Sequence, residues 1–260
     1  MNQEAKRTAS VTKIDSKLPS ATLFEDDANA GFQTMSQDDL ALPFLKVLGQ
    51  LSPEVNTRHA KHIKEAAPGM ILNTVTNELY EGAKGIQVIT CYYKREYVEW
   101  KDRGESMGAP VGIHASDSEV VASAKRDAMN KDRLPNGNYI ENTASHFVLL
   151  LGETPCTALI TMKATQLKTS RKWNTMMMGI KLQGKDGLFT PPTYSHVYKL
   201  TTVQQSNDKG TWFGWDVSKI GPVKERAIYD NAKSFSSNIS KGNIKAKHGS
   251  DSEKSESTPY

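Results

Sequence analysis

The sequence predicts a mainly β (α+β) protein, an antiparallel barrel or sandwich with two or three helices interspersed, held between two disordered arms. Three observations lead there. Apolar runs at Ser145–Leu151 and Pro155–Lys163 are separated only by Gly152-Glu153-Thr154, the spacing of an antiparallel hairpin. A second pair, Tyr194–Val203 and Thr211–Val217, is closed by the turn-forming run Ser206-Asn207-Asp208-Lys209-Gly210. Finally, hydrophobic residues make up 37% of the 260, too few for one compact globule, so polar segments must dilute an ordinary core. Those segments lie at the ends. Residues 1–37 are polar and aperiodic, and after Ser240 the chain is mostly Lys, Ser, Glu and Gly. The expected layout is a disordered arm over 1–37, a β-rich domain over 38–240 and a disordered tail over 241–260.

Each element has a local cause. Leu42, Phe44, Leu45, Val47, Leu48 and Leu51 form a dense apolar cluster, and Pro43 within it favours a short extended segment over a helix. A basic stretch follows (Arg58, His59, Lys61, His62, Lys64), then Pro68-Gly69 and a strand over Met70–Val75. Ile86–Lys101 alternates as one long strand, with a change of phase near Tyr97-Val98 that suggests a bulge. Ser116 and Glu119 have capping-box spacing, which predicts a helix over Ser116–Asn130. Thr165–Ile180 predicts another. Pro222 is placed at N1 of a last helix carrying Val223, Ala227, Ile228, Ala232 and Phe235.

Composition narrows the function classes. No apolar run approaches the roughly 18 residues of a membrane-spanning helix. Met1–Ser20 has no apolar h-region, so no signal peptide is expected. Cys91 and Cys156 are too few for a disulfide framework or a cysteine-rich zinc site, and a cytosolic protein with reduced thiols is expected. Gly179–Asp186 approaches the phosphate-binding loop but puts Asp186 where a hydroxyl must ligate Mg²⁺, and it follows a helix instead of a strand. Glu99-Trp100-Lys101 has the spacing of Mg²⁺-dependent nucleases, without a clear second carboxylate on a neighbouring strand. His59-x-x-His62 has no third ligand nearby. No enzyme, cofactor or metal is expected.

What remains is a binding surface. Between Thr154 and Lys185 there is no acid, but six cations: Lys163, Lys168, Arg171, Lys172, Lys181 and Lys185. Lys168, Arg171 and Lys172 fall at i, i+3 and i+4, one face of a helix, with Trp173, Met176, Met177 and Ile180 on the buried side. Tyr92–Arg103 interleaves four aromatic and four basic residues, and strand alternation points Tyr93, Arg95 and Tyr97 one way, with Lys94, Trp100 and Lys101 in the same run. Trp212 and Trp215, at i and i+3 on a strand, face opposite sides, one to the core and one outward. Rings beside cations suit single-stranded nucleic acid, whose bases stack while the cations neutralise phosphates. Tyr and Trp are also good core residues of strands, so each ring keeps both readings at this level.

The run Leu42–Leu48, then Leu51-Ser52-Pro53-Glu54, Gly69–Thr74 and Tyr97-Val98-Glu99-Trp100, resembles proteins of tailed bacteriophages. In size and tail layout the chain is similar to the single-stranded DNA-binding proteins of short-tailed (podovirus-type) phages, over roughly Leu40–Val223. The resemblance implies an OB-like antiparallel β-barrel core on which the helices are insertions or caps. It also implies coating of single-stranded DNA in the host cytoplasm during replication and recombination. The tail DSEKSESTPY is similar to the acidic, aromatic-ended docking peptides of such proteins, which assigns Asp251, Glu253, Glu256, Pro259 and Tyr260 to contacts with replication, recombination or transcription proteins. It ends in Tyr where Phe is usual. The alternative is a phage virion structural or assembly protein, which needs neither the acid-free window nor the aromatic–basic strand.

Overall fold

The structure is a computed structural model that describes residues 30–31, 41–102, 109–208 and 210–244. The chain divides into Met1–Asp39 and Leu40–Tyr260, and the fold below is that of the second unit. The arm predicted over 1–37 and most of the predicted tail lie outside the described residues.

The unit is mainly β, built on one antiparallel sheet curled into a half-barrel. Its centre is β4 (Ile86–Trp100), paired on one side with β8 (Tyr139–Leu151) and on the other with β12 (His196–Asn207). β9 (Cys156–Lys163) pairs with β8, and β13 (Gly210–Pro222) pairs with β12, so β9 and β13 face each other across the opening. Both hairpins are those the turn residues predict. A small antiparallel sheet, β1 (Leu45–Val47), β2 (Ile71–Asn73) and β3 (Leu79–Tyr80), packs alongside. The short β5 (Gly112–Ala115) extends β4.

Alternation along the long strands makes two cores. On one face Val88, Ala144, Val148, Ile160, Met162, Tyr198, Leu200, Trp215 and Val217 pack under Trp173 and Met177. On the other, Ile89, Cys91, Phe147, Leu149 and Leu159 pack against Ala232, Phe235 and Ile239. The bulge in β4 falls at Cys91, where Thr90 opposes Val148 and Tyr92 already opposes Phe147, and not near Tyr97. The extra residue is a small apolar one, fully buried in the second core.

The helices are where local reading and structure part. The predicted Thr165–Ile180 helix is present as α2 (Leu167–Met178), after one 3₁₀ turn over Ala164–Gln166. The predicted Ser116–Asn130 helix is a single turn, α1 (Glu119–Ala122), capped by Ser118 and not Ser116. The rest is a small hairpin of β6 (Lys125–Arg126) and β7 (Asp132–Arg133). Its charges are the reason: Arg126 grips Asp132 with two bonds of 2.8 Å, and Asp127 accepts from Arg133 and from the turn amides of Met129 and Lys131. These pairs, six apart, meet across a hairpin and not along a helix. Pro222 ends β13 opposite His196, and α3 starts later, over Arg226–Ser240, with Ala232, Phe235 and Ile239 buried. Among the described residues no helix is long and apolar enough to cross a membrane.

Candidate nucleic-acid interface

The opening between β9 and β13 is closed by α2. β13 is an edge strand, and its unpaired backbone groups need partners. At Trp215 both are taken by side chains at the start of α2: Gln166, the residue before it, accepts through Oε1 from the Trp215 N–H at 2.9 Å, and Thr169 Oγ1 donates to the Trp215 carbonyl at 3.1 Å. Below, Trp173 lies fully buried, stacked on His146 at 4.4 Å and edge-on to Tyr198 at 5.8 Å. Thus the apolar side of α2 seals the core, and its basic side looks out.

Beside this seam is an open cleft of about 530 Å³, lined by Ala164, Thr165, Lys168, Thr169, Arg171, Gln205, Ser206 and Trp212. Trp212 is half-buried, with its indole N–H donating to Gln205 Oε1 at 3.0 Å, which fixes the ring's orientation. Lys168 and Arg171 are exposed, and among the described residues neither has a carboxylate partner. The first turn of α2 holds no acid and Gln166 makes no side-chain cap, so the positive end of the helix dipole adds to the same field. Ala164, in the cleft wall, has φ +47°, the left-handed region that side chains avoid.

The other predicted residues divide. Lys172 is paired with Asp216 at 2.8 Å, and this contact holds the Asp216 carboxyl below its usual range against the opposing effect of burial. Trp215 is in the core, and Trp100 is buried too, with the Lys163 ammonium 6.0 Å from its ring centroid. Neither indole is on a surface a base can reach, so their place among the binding residues is corrected here. Lys163 pairs with Glu141, and Lys94 with Glu96. Tyr93, Arg95 and Tyr97 do share a face, but Tyr93 packs on His146, and Arg95 donates to Tyr97 Oη and Asn142 Oδ1 at 3.1 Å each. They are not walls of the cleft. Lys101 is exposed after β4, and Lys185 is exposed at the turn between β10 (Leu182–Gly184) and β11 (Gly187–Phe189). Asp251, Glu253, Glu256, Pro259 and Tyr260 lie outside the described residues.

Glu99, the carboxylate of the nuclease-like triplet, is buried and fully engaged. It accepts from Asn136 at 2.9 Å and Asn138 at 2.6 Å, and its other oxygen meets His114 at 2.7 Å. Burial alone would raise its pKa, but these partners together lower it. The carboxylate therefore ties β4 to β5 and to the turn before β8.

The structure thus brings Lys168, Arg171 and Trp212 into one site from segments about forty residues apart. Sequence reasoning missed Thr165, Thr169, Gln205 and Ser206, although the first two stand inside the acid-free window, Gln205 adjoins the predicted turn and Ser206 begins it.

A family profile described as Pam3 phage gp34-like protein matches residues 11–245. The chain belongs to this family. The match spans nearly all of the unit that carries the half-barrel and the cleft, and the family is named for a bacteriophage protein. No curated protein and no solved structure matches the chain.

Proposed function

We propose that this member of the gp34-like family binds single-stranded DNA without sequence preference, in the host cytoplasm, during phage replication and recombination. One observation carries the reading. Two cations without carboxylate partners among the described residues stand beside a half-exposed, oriented indole, in a cleft open at the surface. Lys168 and Arg171 take phosphates, and Trp212 stacks on a base at about 1–3 kcal/mol. The antiparallel half-barrel is consistent with the OB-like β core that the resemblance to phage single-stranded DNA-binding proteins implies. In the same reading the acidic tail recruits replication, recombination or transcription proteins, so removing residues 250–260 leaves DNA affinity equal or slightly higher and abolishes that recruitment.

The test is an oligo-dT titration followed by tryptophan fluorescence. Trp100, Trp173 and Trp215 are buried, so quenching reports Trp212, the remaining one of the 4. Quenching lost in Trp212→Phe, with affinity falling at higher salt, supports the reading. Unquenched, salt-independent behaviour overturns it.

One observation favours the assembly reading instead. The β10–β11 hairpin exposes Leu182, Leu188 and Phe189, with Met178 also exposed nearby in sequence. Such side chains are common at protein contacts. Self-association in sedimentation, unaffected by DNA and coupled with no oligo-dT binding, selects that reading.

A further inference from the structure

We infer that the loop Ser52–Pro68 is a second polyanion-binding surface, joined to the cleft around the tip of the β12–β13 hairpin, so that one nucleic-acid strand runs over both. The inference rests on the cleft being a nucleic-acid site.

Asn56–Lys64 contains Arg58, His59, Lys61, His62 and Lys64 and no acid. The loop is built, not loose. The His59 N–H donates to the Asn56 carbonyl, the His62 N–H to the His59 carbonyl and the Ile63 N–H to the Glu54 carbonyl, each at 2.9 Å. Of the two acids in Ser52–Pro68, Glu54 is turned inward and paired with Lys46 at 3.1 Å, and Glu65 is exposed beside Lys64. Arg58, Lys61 and Lys64 are left exposed. Three exposed cations against one exposed acid leave the surface net positive, and such a surface attracts polyanions.

The root of the loop sits on the hairpin that holds the cleft. Gly69 donates to the Leu48 carbonyl at 2.7 Å, and the Thr202 hydroxyl donates to the Gly69 carbonyl. The Phe213 ring lies so close to Gly69 that a Cβ there would meet it at 2.7 Å. Register pairs Gln205 with Trp212 and Ser206 with Thr211. Alternation then puts Trp212 and Gln205 on one face and Phe213, Thr202 and Ser206 on the other. Ser206 also lines the cleft, so the cleft borders the end of the hairpin on whose other face the loop is rooted. Asp208, exposed on the turn itself, lies where a strand crossing the tip would pass.

The test compares oligo-dT of about 4 and about 16 nucleotides, lengths that bracket a single site. In Arg58→Ser/Lys64→Ser the short oligomer binds as in the wild type. The long one binds about tenfold more weakly, and its log–log salt slope is shallower by about 1.4, the release expected for two phosphates. Asp208→Asn tightens binding of the long oligomer alone. Thermal melts of the Arg58→Ser/Lys64→Ser and Asp208→Asn variants match the wild type, because these side chains are exposed. If the loop variant binds the long oligomer like the wild type while Trp212→Phe weakens it, the second surface is overturned and the cleft stands. If Trp212→Phe and Lys168→Ser/Arg171→Ser both bind normally, the cleft reading fails and the joined path fails with it.

Discussion

Gln166 and Trp215, 49 residues apart, are joined by a hydrogen bond of 2.9 Å from the Trp215 backbone N–H to the Gln166 side-chain oxygen. With Thr169 on the Trp215 carbonyl, α2 supplies the sheet edge with the partners a further strand would have given. The half-barrel is closed by a helix, and the helix's free face becomes one wall of the cleft.

Removing this contact leaves a part-buried N–H without its acceptor. Gln166→Ala should destabilise the domain by about 1–3 kcal/mol, read as a lower urea midpoint with an unchanged slope. Gly214→Ala should act in the same direction, since its Cβ would fall 2.2 Å from Gln166 Nε2. A wild-type midpoint in both variants would show that the edge needs no cap.

Ala164 holds φ +47° at the mouth of the cleft. An L-residue in this region costs roughly 1–2 kcal/mol, of which glycine recovers part after its own entropy loss. Ala164→Gly should therefore raise stability by up to about 1 kcal/mol in chemical denaturation. A loss of stability would mean that the methyl group's packing outweighs the backbone strain.

His146 is fully buried, and burial pushes its pKa down to about 3. The native ring stays neutral while the unfolded one titrates near 6.5. The unfolded state therefore binds more protons in this window, so stability is full above about pH 6.5 and falls as pH drops toward 3. The slope from this group is about 1.4 kcal/mol per pH unit. His146→Phe should flatten the fall by that amount, leaving the carboxylate contribution, in melts taken every half unit.

Lys46 and Glu54 form an ion pair with both residues only 8% exposed. Taking one partner leaves a buried charge, so Glu54→Ala should cost about 3–5 kcal/mol. Lys46→Met/Glu54→Leu should cost much less, because no charge is then stranded. Equal losses in the single and double variants would place the effect in packing instead.

Lys168→Ala and Arg171→Ala should each leave stability within about 0.5 kcal/mol, since both side chains are exposed and neither is paired among the described residues. Each should still weaken oligo-dT binding and make the salt slope shallower by about 0.7. Calorimetric melts beside binding isotherms separate the two effects.

The long strands, both long hairpins, the helix over Leu167–Met178 and the acid-free window were legible in the sequence. All rest on local causes: period-two alternation, turn residues and one amphipathic repeat. What the sequence left open was decided by partners far along the chain. Trp212 and Trp215 are equally good strand residues, and only packing beneath α2 takes Trp215 into the core while Gln205 holds Trp212 at the surface. Lys168 and Lys172 lie on one helix face, yet Asp216, 44 residues from Lys172, engages the latter and leaves the former without a carboxylate partner among the described residues. The capping-box spacing at Ser116 suggested a long helix, but Arg126–Asp132 and Arg133–Asp127 gain more from opposing each other across a hairpin. Local pattern determines which element a segment can form; the charges and cavities that element meets after folding determine which of its side chains remain free to bind.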